Sequence, residues 1–193
     1  NPTAWYPYYY KSLLAVKEYD KAEKITRKQL RINKNNVQYY VYLGQLYGLQ
    51  NESKKEKDYY DRAVREMLPM PPYIFNLANA FVEGQKYDYA IQVYNKARKE
   101  SPDYPYFYER AEIYKLKNDL VAMINEYLDA IEFRETELET VQMRLQNSLG
   151  YDDETGGMNN PLLKQELQKR IQKSPDMVVF PEFLIFILKQ QKD

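Results

Sequence analysis

The chain contains neither cysteine nor histidine. Without cysteine there is no thiol nucleophile, disulfide or zinc–thiolate site; without histidine the commonest general base and the commonest metal ligand are gone. Most hydrolase mechanisms lose their central residue. The chain is therefore read as not an enzyme, with no catalytic residue, metal or cofactor. It also lacks a long apolar run. The longest, 177–188, is broken by Pro181 and Glu182 and falls short of the roughly 20 residues that cross a bilayer, so no membrane span is expected. Nor is there an excess of either charge. Lysine plus arginine total 28 and aspartate plus glutamate total 28, which leaves no net field to draw the whole chain to nucleic acid or an anionic membrane. The missing cysteine suits an oxidising compartment, where a stray thiol is a liability, and so favours an exported or periplasmic location over a cytoplasmic one. The first residue is Asn1 and not methionine. Either a signal segment has been removed or a longer protein precedes it, and no signal peptide is visible to decide.

What is present is ample apolar material for a core, 44% of residues, and an uneven charge distribution. Residues 1–65 hold 13 basic against 7 acidic side chains, whereas residues 66–163 hold 9 against 17. That split bears on association, not on fold, and predicts salt-dependent binding.

A repeat organises the chain. Ile74, Leu77, Ala78, Phe81, Ala90, Tyr94, Ala97 and Pro102 recur one period earlier as Tyr40, Leu43, Gly44, Tyr47, Tyr60 and Ala63. One period later stand Phe107, Ala111, Tyr114, Tyr127 and Ala130, and the weakest copy holds Tyr6, Leu13, Ala22 and Leu30. The spacings are helical on both sides of a turn. Residues 84–88 and 117–119 read as turns between paired helices, and Pro72 and Pro105 fit helix first turns. Small residues such as Gly44, Ala78, Ala90 and Ala111 let helices approach, while Tyr47, Phe81, Tyr94 and Tyr127 fill the gaps between them.

These residues resemble the tetratricopeptide-repeat family, whose pattern is an aromatic, then Leu-Gly, then Tyr, followed by Ala, an aromatic and a closing Pro. Tyr40, Leu43, Gly44 and Tyr47 match its first half, and Ala90, Tyr94, Ala97 and Pro102 its second. The resemblance implies an all-α fold, a right-handed superhelix of about five helix pairs and a final unpaired helix. The whole of 1–193 is then one array, with repeats at 3–36, 37–70, 71–103 and 104–137. A divergent pair covers 138–176 around a long loop at 150–160, and a half repeat covers 177–193. Three departures stand out: Glu56 occupies a small-residue position, Thr26 an aromatic one, and Pro7 falls within the first helix, which must start or kink there.

The 21 tyrosines invite a nucleic-acid reading through base stacking, but Tyr40, Tyr47, Tyr60, Tyr94, Tyr114 and Tyr127 coincide with repeat core positions, so packing is preferred. By the resemblance, the first helix of each pair lines a concave groove that holds a peptide or protein surface. That nominates Lys11, Gln38, Tyr42, Gln45, Phe75, Asn76, Asn79, Glu83, Tyr108, Glu109 and Glu112. A carboxylate-clamp variant of such grooves is rejected, because Pro72, Pro105 and Glu109 stand where basic residues are wanted. Asp152, Asp153 and Glu154 lack the alternation of a calcium loop and read as a solvated turn, and the loop is the expected first site of proteolysis.

The implied function is a protein-interaction scaffold, bacterial in its lysine-, asparagine- and tyrosine-rich texture. The alternative is a structural segment that packs against its own polypeptide or a membrane-associated complex. In the last helix Phe180, Phe183, Leu184 and Ile187 fall at the repeat positions of Ile74, Leu77, Ala78 and Phe81. Apolar residues surround it on nearly every side. The chain is accordingly expected to be a piece of a longer array and to self-associate through 178–188.

Overall fold

The structure is a computed structural model that describes residues 5–150 and 160–189. Among them are eleven α-helices, one short 3-10 helix and no strand. The fold is all-α, as the helical spacing predicts. The loop around Asp152, Asp153 and Glu154, apart from its ends at Gly150 and Asn160, lies outside the described residues, as do 190–193.

Helices follow one another in pairs: α1 (Tyr6–Ala15) with α2 (Tyr19–Ile32), α3 (Gln38–Leu49) with α4 (Ser53–Arg65), α5 (Pro71–Glu83) with α6 (Tyr87–Glu100), and α7 (Phe107–Leu116) with α8 (Leu120–Phe133). The turn inside each pair is built the same way. One residue adopts the left-handed region, at Lys17, Asn51, Gln85 and Asn118. The residue after it donates its N–H five residues back, Glu52 to Tyr47 at 2.9 Å and Lys86 to Phe81 at 2.8 Å, with Glu18 to Leu13 and Asp119 to Tyr114 equivalent. This is the six-to-one bond of a Schellman ending, which satisfies a helix carbonyl that would otherwise be orphaned. Glycine usually takes the left-handed place, yet Gly84 has a negative φ and Gln85 takes it instead.

The prolines divide. Pro7 sits in the first turn of α1 and Pro71 and Pro72 open α5, where the missing N–H costs nothing. Pro105 does not belong to a helix first turn. α7 begins two residues later, after Tyr106, which is itself left-handed at φ 56°. Proline restrains the residue before it, but nothing in the local sequence signals that the residue after it will turn back.

Contacts divide the chain into two compact units, Asn1–Pro105 and Tyr106–Asp193. The first has an aromatic core. Tyr6, Tyr10, Leu13, Ala22, Tyr39, Tyr42 and Leu46 are buried together. Tyr6 meets Tyr39 edge-on at 5.1 Å and stacks on Tyr10 at 5.8 Å. Two of the phenols in this core are hydrogen-bonded, as burial favours: Tyr10 donates to the Tyr42 carbonyl at 2.6 Å, and the Tyr6 and Thr26 hydroxyls pair at 2.7 Å. Thr26 can therefore stand at an aromatic position, because Tyr6 reaches across and fills the space. Gly44 lets α4 in. A β-carbon there would lie 2.4 Å from the ring of buried Tyr60. Glu56 is accommodated similarly, facing Gly48 across the pair and binding Lys86 at 2.6 Å. Of the tyrosines read as packing residues, Tyr40, Tyr47, Tyr60, Tyr94 and Tyr127 are buried and Tyr114 is half-buried.

The second unit has an aliphatic core around α8, whose Met123, Ile124, Leu128 and Ile131 are fully enclosed. α9 (Leu138–Leu149) packs chiefly onto α8, and α10 (Pro161–Lys173) packs between α8 and α11 (Val179–Lys189). Two side chains open helices here, Asp119 accepting from Ala122 N and Asn160 from Leu162 N. Phe180, Phe183 and Ile187 are buried and Leu184 is half-buried, whereas Val178, Ile185, Phe186 and Leu188 are exposed. No described helix is long and apolar enough to cross a membrane.

Candidate functional site

The groove candidates fall in both units. In the first, α1, α3 and α5 bring several of them together. Lys11 of α1 reaches Glu83 of α5 at 3.3 Å, although 72 residues separate them. Both side chains are more than half exposed, so the pair contributes under about 1 kcal/mol; its value is as a ruler that shows side chains of α1 and α5 reaching one another. Gln45 of α3 lies in the same cluster, half-buried, with its amide nitrogen 3.5 Å from the Ala80 carbonyl and its side chain filling the space beside Gly84. Tyr42 is a core residue and not a surface one. It is 8% exposed, between Tyr6, Tyr10 and Tyr39. Burial pushes its phenol up to about 12, and the Glu83 charge adds to the shift.

Along α5, Asn76 and Asn79 are exposed and Phe75 is half-buried, leaning on Tyr94 of α6 with ring centroids 6.3 Å apart. Gln38 opens α3 and is half-buried, its N–H 3.4 Å from the Asn36 side-chain oxygen. The face shared by Lys11, Gln45, Asn76, Asn79 and Glu83 carries one charge of each sign and three amides. Amides both donate and accept, which matches a peptide backbone.

In the second unit Tyr108, Glu109 and Glu112 all lie on α7, and Tyr108 and Glu112, one turn apart, both border Tyr127 of α8. Tyr108 donates to Glu137 at 2.6 Å beneath the Arg144 guanidinium, which sits 4.3 Å from the ring centre. Burial and then the Glu137 carboxylate raise its phenol pKa. Glu112 accepts from Tyr127 at 3.1 Å, and Glu109 is half-buried in the helix's first turn. Glu137 and Arg144 were not legible as partners of Tyr108, because they lie beyond the clear repeats and only the packing of α9 and the preceding 3-10 turn brings them in. Among the described residues no group of three histidine, cysteine or acidic side chains gathers as for a metal ion.

No protein-family model matches this chain, and no curated protein is detectably similar to it. The likeness to tetratricopeptide repeats accordingly stands on residue spacing and helix pairing.

Proposed function

We propose that this chain is a tetratricopeptide-type array that serves as a protein-interaction scaffold, holding a peptide or protein surface along the face formed by the first helices of its pairs. The observation that carries the reading is the convergence of Lys11, Gln45 and Glu83 from three successive first helices, beside exposed Asn76 and Asn79. The four equivalent turns support it, since their left-handed residues recur at 17, 51, 85 and 118, the period of that repeat class. No catalytic role is proposed. The test is capture from the native extract by the wild-type chain beside an Asn76→Ala, Asn79→Ala, Lys11→Ala variant; these side chains are exposed, so the fold is kept. Selective loss of the captured protein in the variant is expected. Equal recovery would sink the groove assignment.

A second reading, assembly against further protein, rests on α11 and the residue before it. Val178 is 62% and Ile185 50% exposed, and Phe186 and Leu188 also face water. Such a patch is ordinarily covered. Self-association through 178–188 is the form that can be measured directly. Light scattering should show concentration-dependent growth in mass that Ile185→Lys with Leu188→Lys abolishes; a monomer at every concentration refutes it.

A further inference from the structure

We propose that the first unit carries a binding site apart from the groove, at the corner where α2 gives way to α3, and that it takes an acidic peptide segment. A pocket of about 530 Å³ lies there, lined by Arg31 at the end of α2, by Asn33, Lys34, Asn35 and Asn36 of the connection, and by Tyr73 of α5. That volume is within the range of genuine ligand sites. No carboxylate lines it.

The charges decide the matter when this pocket is set beside a second cleft of the same unit. That cleft, about 470 Å³, contains Arg27, Lys55 and Arg62. Each of those cations is already held by a nearby carboxylate: Arg27 by Glu23 at 2.7 Å, Lys55 by Glu52 at 2.6 Å and Arg62 by Glu66 at 2.8 Å. Asp58 lines it as well, and the Tyr47 and Tyr59 rings close its wall as a parallel stack 5.4 Å apart. It is electrically satisfied. At the α2–α3 corner, by contrast, neither Arg31 nor Lys34 has an ion-pair partner among the described residues. Lys24 and Lys28 have none either, and with Arg31 they fall at i, i+4 and i+7 on α2, one stripe of positive charge that runs into the pocket. Unneutralised cations around a concave surface attract and orient an anion.

The polar wall narrows the ligand class. Asn33 is committed to Gln29, its amide nitrogen 3.2 Å from the side-chain oxygen, and the Asn36 oxygen accepts from the Gln38 N–H. The Asn35 amide, the Asn36 NH2 and the Tyr73 hydroxyl make no bond to a described residue. They offer donors and acceptors suited to peptide groups, while Arg31 and Lys34 suit carboxylate side chains. A single aromatic ring gives no ladder on which successive bases could stack, which disfavours a nucleic acid strand.

Fluorescence anisotropy of a labelled hexaglutamate peptide with blocked ends tests the proposal, against hexaglutamine and a single-stranded oligonucleotide of the same charge. Hexaglutamate should bind about tenfold or more tightly than hexaglutamine, the equivalent of one well-made charged contact. Arg31→Ala with Lys34→Ala should remove about that factor. Lys54→Ala with Lys99→Ala changes net charge equally at exposed cations outside the pocket and should cost under about twofold. Asn35→Ala should weaken hexaglutamate binding without altering its salt dependence. Equal losses in the two double variants, equal affinity for hexaglutamine, or preference for the oligonucleotide would each overturn the proposal.

Discussion

The two units solve the same problem, joining helix pairs, with opposite chemistry. The first interlocks tyrosine rings and ties two of their hydroxyls to a threonine and to backbone, Tyr6 to Thr26 and Tyr10 to the Tyr42 carbonyl, while the buried Tyr60 hydroxyl has no hydrogen-bond partner among the described residues. The second surrounds α8 with aliphatic side chains and places its polar bonds at the edges of that core. Arg170 of α10, 11% exposed, reaches Asp129, Glu132 and Asn125 of α8. Glu166 meets Asn125 at 3.0 Å and Lys169 at 2.6 Å. Arg110 and Glu126 pair at 2.6 Å between α7 and α8, nearly enclosed. Neutral phenols are cheaper to bury than ions. Ions are costly to bury alone and specify their partners strictly.

The largest expected effect strikes the second unit. Arg170→Ala leaves Asp129 without its cation and Glu132 with only the exposed Lys173 at 3.4 Å, and should cost about 2 kcal/mol, less than a fully buried pair because the carboxylates are partly solvated. Hydrogen exchange should show α8 and α10 losing protection while α1 to α3 keep theirs. Uniform loss would mean that the two cores do not differ as described.

Alkali should act most strongly on the first unit. Burial raises the phenols of Tyr6 and Tyr10 well above their ordinary value of 10.0 and takes Tyr42 to about 12. A folded-state pKa above the unfolded one means that folding favours the neutral phenol. Stability is then intact below about pH 10 and falls as pH rises towards 12, by about 1.4 kcal/mol per pH unit for each such group. The second unit has fewer deeply buried phenols, Tyr127 being the one fully buried tyrosine in its core cluster, though burial also raises Tyr108 and Tyr127. Ultraviolet titration of tyrosinate alongside circular dichroism should show unfolding coincident with the late-titrating phenols. Titration near pH 10 without loss of helix would break the comparison.

The smallest effect is a gain. Gln85 holds φ 55°, a conformation that hinders any side chain. Gln85→Gly should stabilise by up to about 1 kcal/mol, the relief of the β-carbon clash less the extra freedom of glycine in the unfolded chain. Thermal unfolding would read it, and a lower melting temperature would show that the Gln85 side chain matters more than its backbone.

Helix pairing and the intra-pair turns were legible because spacing fixes them locally. Ile74, Leu77 and Phe81 recur at helical intervals, and the turns at 84–86 and 117–119 fall where that periodicity breaks. The candidate surface was legible in part. Lys11, Gln45 and Glu83 do converge, but Tyr42 has the spacing of a face residue and the burial of a core one. No local pattern separates those two fates for an aromatic residue.

The sequence alone determined the all-helical class, the pairing and the pattern of small against large core positions, since each follows from side-chain volume and period along one helix. Tertiary structure alone decided which polar residues meet. Lys11 finds Glu83, Tyr108 finds Glu137, and Arg170 finds Asp129. Each pair joins residues about 30 or more positions apart, so only packed helices can make them neighbours. Charged contacts of that kind carry no periodicity by which a sequence could announce them.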